Sequence, residues 1–231
     1  MAAAKPRPSD FSPIPVNEFL TRTGIDLARI PGCEHVELIV SPRDIARVED
    51  IALMRNEYRN QLLESVGLAE NRGQQLYRDR AIHQLLIDPR DLVLGQRYVY
   101  RPNYVSIVEE LRDLFEGFGV RGGFTQFFAC RIVGQDHEGR RVLAHFLPPI
   151  LERHGARLIL MDGVHRNYLA RQAGVSIECL VVDNVVAAFP CSTRRWETIA
   201  VTDVKPPNIE DRYFDLDRGL FRDVKYIGID G

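Results

Sequence analysis

The stretch "ARLILMDGVHRNYLARQAGVSIECLVV", residues 156 to 182, constrains the fold of this 231-residue chain more than any other. Two apolar runs flank a segment of helical character, and a glycine, Gly163 or Gly174, stands near each junction. Short apolar runs bounded by glycine read as buried strands, and "RNYLARQAG" reads as a helix closed by Gly174. Strand, turn, helix and strand in succession are the building unit of an α/β or α+β sheet with helices packed on it.

The alternation extends in both directions. "HQLLID" is strand-like and Pro89 stops it, while "VSIVEELRDLFEGFG" sets Val105, Val108, Leu111, Leu114 and Phe115 on one helical face. "FTQFFACRIVG" predicts a strand, "QDHEGRR" a turn with Gly139 at its tip, and "RVLAHFL" the returning arm of a hairpin. "PPILERHG" predicts a short helix after Pro148 and Pro149. Nearer the N-terminus, "CEHVELIVSP" predicts a short strand. A long helix through "SPRDIARVEDIALMRNEYRNQLLESVGL" is then expected, with Ser41 as N-cap, Pro42 in its first turn and Gly67 at the exit. Ile45, Val48, Ile51, Ala52, Tyr58, Leu62 and Leu63 would form its buried stripe, and a second, polar helix is expected over 70–84. The proline-rich residues 1–16 read as a flexible arm, since proline cannot enter a helix interior. The expected organisation is thus an arm at 1–16 and a mainly helical extension at 17–83. A small mixed sheet flanked by helices follows at 84–190, with a C-terminal flap at 191–231 packing on that same domain.

Composition narrows the function classes. Hydrophobic residues make up 45% and charged residues 27%, enough to bury a core without disulfide or metal staples. A net charge of -2 and a pI near 6.3, with acids interspersed among the bases, argue against a DNA partner. Cys33, Cys130, Cys179 and Cys191 are scattered without a CxxC pair, so no zinc site or disulfide framework is signalled. No run approaches the roughly 20 apolar residues of a membrane span, and the N-terminus lacks the apolar core of a signal peptide. These readings predict a soluble cytoplasmic protein.

The turn Asp162-Gly163-Val164-His165-Arg166 is the strongest candidate for chemistry. Gly163 permits a positive φ or close approach of a ligand to the backbone. The helix that follows directs its free N–H groups and positive dipole end at the turn, where anions bind. Arg166 adds a guanidinium suited to phosphate or carboxylate, and His165 donates or accepts near neutral pH. Asp162 would disfavour a bare anion, but it fits a magnesium ion or a substrate hydroxyl or amine beside the phosphate. A purely structural turn, with Asp162 as cap and Arg166 in solvent, is the alternative. Neither GxxxxGK[ST] nor GxGxxG is present.

"LMDGVHRNYLARQAGVSIECLVVDNV" resembles the core motif of the ParB/sulfiredoxin superfamily, in which a DGxHR-type turn links a strand to an "xxLAxxxG" helix. "IDPRDLVLGQRYVYRPNYVSIVEELRDLFEGFGV" is similar to the opening strand and first helix of that fold, so the resemblance spans 84 to 185. Sulfiredoxins carry a cysteine immediately before the His-Arg pair, where this chain has Val164, which implies that sulfinic acid reduction is absent. The arginine-rich second box and helix-turn-helix of the partition proteins have no counterpart here. The free-serine-kinase branch carries the closest turn, and the resemblance to it implies an ATP- or ADP-dependent phosphotransferase acting on a small-metabolite hydroxyl. Gly163, Val164, His165, Arg166, Asn167 and Lys205 would hold the nucleotide, Asp162 would hold Mg2+, and Asp162, His165 and Arg166 would form the catalytic set. Gln96 stands where that branch presents its glutamate base, which leaves Asp162, Asp91 or Glu109 for the role. A non-catalytic ParB-like nucleotide- or ligand-binding regulator, with a DNA or protein partner, is the second expectation. Either is compatible with a homodimer.

Other positions have plainer readings. His145 in "VLAHFLPP" is expected as a satisfied core histidine, His137 as a solvated hairpin tip and His154 as the cap of the short helix. Lys205 before two prolines sits in a stiff extended segment; a plain surface loop is the first expectation there, and a lid residue reaching a phosphate the alternative. Arg194 and Arg195, preceding Trp196, are expected in a structural role, with stacking on or clamping a nucleotide as the alternative.

Overall fold

A computed structural model describes residues 11–105 and 128–230 of the chain. The architecture is mixed α/β, of the α+β kind, with mixed sheets and short helices. The chain divides into two compact units. The first gathers residues up to 66, 128–147 and 223–230, and the second gathers 67–105 and 148–222. This division differs from the expected 17–83, 84–190 and 191–231. The hairpin at 130–146 joins the N-terminal strands, and the last residues of the tail join them as well.

In the first unit, β1 (Ile14–Pro15), β2 (Leu38–Ile39), β3 (Arg47–Leu53), β7 (Cys130–Gln135) and β8 (Arg141–Phe146) form a sheet in the order β1-β2-β8-β7-β3. The expected hairpin is present, with Cys130 opposite Phe146, Gln135 opposite Arg141 and Gly139 at positive φ in its turn. Helices α1 (Val16–Thr23) and α2 (Asn56–Glu64) accompany this sheet. Phe19, Leu62, Val133, Leu143 and Ile227 are among its buried residues.

Three N-terminal expectations are corrected. The long helix does not form: Ser41 caps only a 3-10 turn at Pro42–Asp44, Arg47–Leu53 is strand β3, and helix resumes as α2. Ile45, Val48, Ile51 and Ala52 recur at helical spacing, but β7 has an edge to fill, and β3 fills it from Arg47–Gln135 to Leu53–Cys130. Long-range pairing overrides a local periodicity of this strength, and Val48 stays half exposed. The polar helix at 70–84 is likewise absent: residues 67–80 run as turns and bridges, and Ile82 begins a strand. The arm is anchored from Phe11, which is buried together with Ile14.

The second unit is built on β4 (Ile82–Ile87), β5 (Leu92–Leu94), β9 (Ile150–His154), β10 (Arg157–Asp162) and β11 (Ile177–Val182), in the order β4-β11-β9-β10-β5. β4 runs antiparallel to β11, β11 parallel to β9, β9 antiparallel to β10 and β10 parallel to β5. A two-stranded ribbon pairs β6 (Tyr98–Tyr100) with β12 (Ala200–Thr202). Helix α3 (Val164–Ala173) follows β10 and ends at Gly174, φ 67°, as the sequence predicts.

The short helix expected at "PPILERHG" is instead the central strand β9. Ile150, Leu151 and Glu152 are all fully buried. Three consecutive inward residues suit a strand covered on both faces and not a helix with one apolar stripe. The amphipathic helix expected over 105–119 falls almost entirely outside the described residues, of which 101–105 are helical. Among the described residues no helix is long and apolar enough to cross a membrane.

Candidate functional site

The turn singled out from the sequence lies where β10 gives way to α3. Gly163 has φ 90° and ψ 30°, and a Cβ placed there would lie 2.7 Å from the Pro149 Cβ. The position needs glycine twice over, for the left-handed backbone and for the close approach of Pro149. The Gly163 carbonyl accepts from both the Asn167 N–H (3.0 Å) and its side-chain amide (3.1 Å), which closes the first turn of α3. No side chain caps that N-terminus. With Nδ2 so engaged, the Asn167 Oδ1 is buried without a hydrogen-bond partner.

Asp162 and Arg166 pair across this first turn at 3.4 Å. Arg166 is buried, which presses its pKa down against the support of the Asp162 charge. It therefore lies beneath the turn as a buried cation and is not a solvent-facing clamp. Asp162 keeps 17% of its side chain accessible. The backbone N–H of Tyr100 donates to His165 Nε2 at 3.2 Å, so the imidazole carries its proton on Nδ1 in this arrangement. Val164 is buried and Asn167 fully so. Of the residues assigned to this site from the sequence, the structure brings 162–167 together. Lys205 is exposed, three residues past Thr202, the β12 residue in register with Tyr100.

Gln96 joins them by topology. Leu94 on β5 is in register with Leu160 on the parallel strand β10, so Gln96 and Asp162 are each two residues further along, Asp162 as the last residue of β10 and Gln96 just past the carboxyl end of β5. Ligands of open α/β sheets bind at such ends. The Gln96 side chain hydrogen-bonds Tyr213, whose hydroxyl burial pushes up to about 12, and Gln96 Oε1 is itself buried without a partner. Both residues line a cleft with Gly95, Met161, Cys191 and Arg222. Its open volume of about 30 Å³ admits water-sized groups only.

Asp91, one of the alternative bases, precedes β5 at the opposite end of the parallel pair, where Leu92 faces Leu158. The length of the strand separates it from the turn, so it is not placed to serve there. Glu109 lies outside the described residues. Trp196, which follows Arg194 and Arg195, takes a structural place. That ring is buried and donates to the Pro89 carbonyl at 2.6 Å, and the cation above it is Arg171 at 5.8 Å. Arg194 instead lies over Phe214.

The other histidines divide. His137 is exposed at the hairpin tip. His145, in the first unit, is 1% exposed and fully partnered. Its Nδ1 donates to the Gly228 carbonyl at 3.0 Å, which leaves Nε2 to accept from the Tyr58 hydroxyl at 2.6 Å. Burial lowers its pKa to about 4, partly opposed by the Gly228 bond. His154 is not a helix cap; it sits on β9 and hydrogen-bonds Glu152 at 2.7 Å.

That bond belongs to a cluster the sequence reading missed. Glu152, fully buried, accepts from Tyr77 (2.6 Å), His154, and Arg222 through both Nε (2.7 Å) and Nη2 (2.8 Å). Arg222 Nη1 also donates to the carbonyls of Ala188 and Leu220, which ties the C-terminal segment to the centre of the sheet. Burial alone would raise the Glu152 carboxyl, but the bonds from His154, Arg222 and Tyr77 outweigh it and hold it below the ordinary value. A glutamate between two apolar residues and a basic pair in "ILERH" was the available signal.

Among the described residues, no group of three or more His, Cys, Asp or Glu is placed to hold a metal ion. At the turn a magnesium ion would find one carboxylate, Asp162, a donor set suited to an ion held mainly by ligand phosphates and water. No family model matches the chain, and no curated protein or solved structure is significantly similar to it.

Proposed function

We propose that the second unit is a ParB/sulfiredoxin-like domain, and that the protein is a nucleotide-dependent phosphotransferase, using ATP or ADP and Mg2+, acting on a small-metabolite hydroxyl. One observation carries the reading: an uncapped helix N-terminus rises from Gly163 above a buried Arg166, with Asp162 beside it at the carboxyl end of two parallel strands. In this reading the N–H groups of α3 bind phosphate oxygens and Arg166 neutralises charge from beneath. His165, fixed by Tyr100, presents its Nδ1–H as a donor. Asp162 shares its carboxylate between Arg166 and the acceptor hydroxyl, from which it would take the proton. When bound, Mg2+ would offset the negative charge of the phosphates.

Gln96 favours a second reading, a ParB-like nucleotide-binding regulator with a DNA or protein partner. An amide stands level with Asp162 where a second carboxylate would serve catalysis, and an amide cannot accept a proton from a hydroxyl.

Thermal unfolding with ATP and with ADP, each with and without Mg2+, tests the shared site. Binding at a hundredfold excess over Kd adds about 2.7 kcal/mol, or roughly 5–10 °C for a chain of this size. Asp162→Asn separates the readings: a kinase loses phosphoryl transfer to hydroxyl acceptors while nucleotide still stabilises it, and a regulator has no transfer to lose. If no nucleotide shifts the wild type, both readings fail.

A further inference from the structure

The cleft shared by Gln96 and Tyr213 keeps one hydrogen-bonding capacity of each kind. Gln96 Oε1 is buried without a partner, so the bond between the two residues runs from the amide Nε2 to the phenol oxygen. The Tyr213 O–H is thereby turned away from Gln96, and among the described residues it donates to no other acceptor. Both side chains line the cleft, so a free acceptor and a free donor face one space.

The other polar groups there are engaged or neutral. Arg222 gives its donors to Glu152 and to the carbonyls of Ala188 and Leu220, and the Glu152 carboxylate matches its charge. Burial pushes the Cys191 thiol up to about 12, so it carries no charge at neutral pH. Leu160, Met161, Phe189 and Phe221 supply apolar walls. A carboxylate or an ammonium would find no counter-ion in such a space, and a methyl group would leave both polar groups unpaired. A hydroxyl donates one bond and accepts another, which is the pattern on offer. The open volume of about 30 Å³ holds roughly two heavy atoms, a hydroxyl oxygen and the carbon that bears it. Water matches less well, since a buried water makes about three hydrogen bonds and these side chains offer two.

We propose that this cleft binds one hydroxyl of a diol or polyol acceptor, with Gln96 and Tyr213 as specificity-determining residues, while the neighbouring hydroxyl lies at Asp162. Met161 lines the cleft and directly precedes Asp162, and the Asp162 charge acts on the Tyr213 hydroxyl, so the two subsites adjoin as vicinal hydroxyls require. The inference rests on the phosphotransferase reading and narrows its acceptor. In the transfer, the oxygen of the hydroxyl at Asp162 bonds to the terminal phosphorus. The bond from that phosphorus to the leaving nucleotide oxygen breaks, and the hydroxyl proton passes to Asp162. The hydroxyl in the cleft is unchanged, so Gln96 recognises a group and needs no basicity.

Phosphate transfer from ATP and from ADP with Mg2+, to ethylene glycol and to ethanol, tests the inference on the full chain. The diol is expected to be the better acceptor by about tenfold in kcat/KM, the worth of one buried hydrogen-bonded group. Tyr213→Phe and Gln96→Leu should each bring that ratio toward one, chiefly through KM for the diol. A merely structural defect would lower both alcohols alike. Thermal stabilisation by nucleotide shows that a variant is folded, and either variant suffices should the other not fold. Equal use of the two alcohols, or a ratio that a folded variant leaves unchanged, overturns the inference alone, and the cleft then holds water. Failure of transfer to both alcohols overturns the phosphotransferase reading and the inference with it.

Discussion

Two arginine–carboxylate pairs in the second unit use the same chemistry in different surroundings. Arg222 and Glu152 meet through two contacts of 2.7 and 2.8 Å, with side chains 1% and 0% exposed, and Tyr77 and His154 occupy the remaining capacity of the carboxylate. Arg166 and Asp162 meet at 3.4 Å, and Asp162 retains access to solvent. A carboxylate whose lone pairs are all taken is a structural tie, and its value lies in what would be left behind on removal. Asp162, the last residue of β10, instead keeps part of its side chain within reach of solvent. The contrast teaches that burial of charge does not by itself mark a functional site.

The largest effect expected from this contrast is on the saturated pair. Glu152→Ala leaves Arg222 buried and unpaired, and should cost about 3–5 kcal/mol, read as a fall in the urea midpoint. A loss below 1 kcal/mol would show that Arg222 reaches water and that the two pairs are alike.

Acid separates the two units by window. His145 has its pKa lowered from 6.5 to about 4, so the unfolded chain binds more protons between those values. Its contribution is complete above pH 6.5 and is lost as pH falls to 4, roughly 3 kcal/mol in all. Glu152 has a lowered carboxyl pKa, so its contribution is present above the ordinary value of 4.5 and is lost as pH falls through the lower folded value. The first unit should therefore weaken before the second. Urea titrations at pH 7.5, 5 and 3.5, with His145→Gln flattening the first window, check the order.

Gly163→Ala forces a side chain into the left-handed region against Pro149, and should cost about 2–3 kcal/mol. An unchanged midpoint would mean that the turn relaxes freely and does not hold the helix end in place. Asp162→Asn is expected to have the smallest effect, about 1 kcal/mol or less, because its contact with Arg166 is long and partly wet. A cost matching that of Glu152→Ala would break the comparison and make Asp162 a structural tie.

Much of the second unit is legible in residue order. β10, the glycine turn, α3, its Gly174 exit and β11 appear where apolar runs and glycines place them, because each signal is local. The turn could be singled out because the residues from Asp162 to Asn167 are contiguous. The proximity of Gln96 to Asp162 was not derivable from spacing, since it depends on the parallel register of β5 and β10. The Glu152 cluster draws on Tyr77, His154 and Arg222, far apart in the chain, so no window of sequence contains it.

Local determinants thus set the hairpin at Gly139, the helix end at Gly174 and the positive φ at Gly163, where backbone sterics leave few choices. Tertiary structure decided the rest. Arg47–Leu53 became a strand because β7 needed a partner. Ile150–His154 became a strand because two neighbours flank it and both its faces are buried. The 130–146 hairpin joined the N-terminal strands and not those on either side of it in the sequence. In each case pairing between distant segments outweighed a local preference, because a strand's hydrogen bonds are all supplied by other parts of the chain.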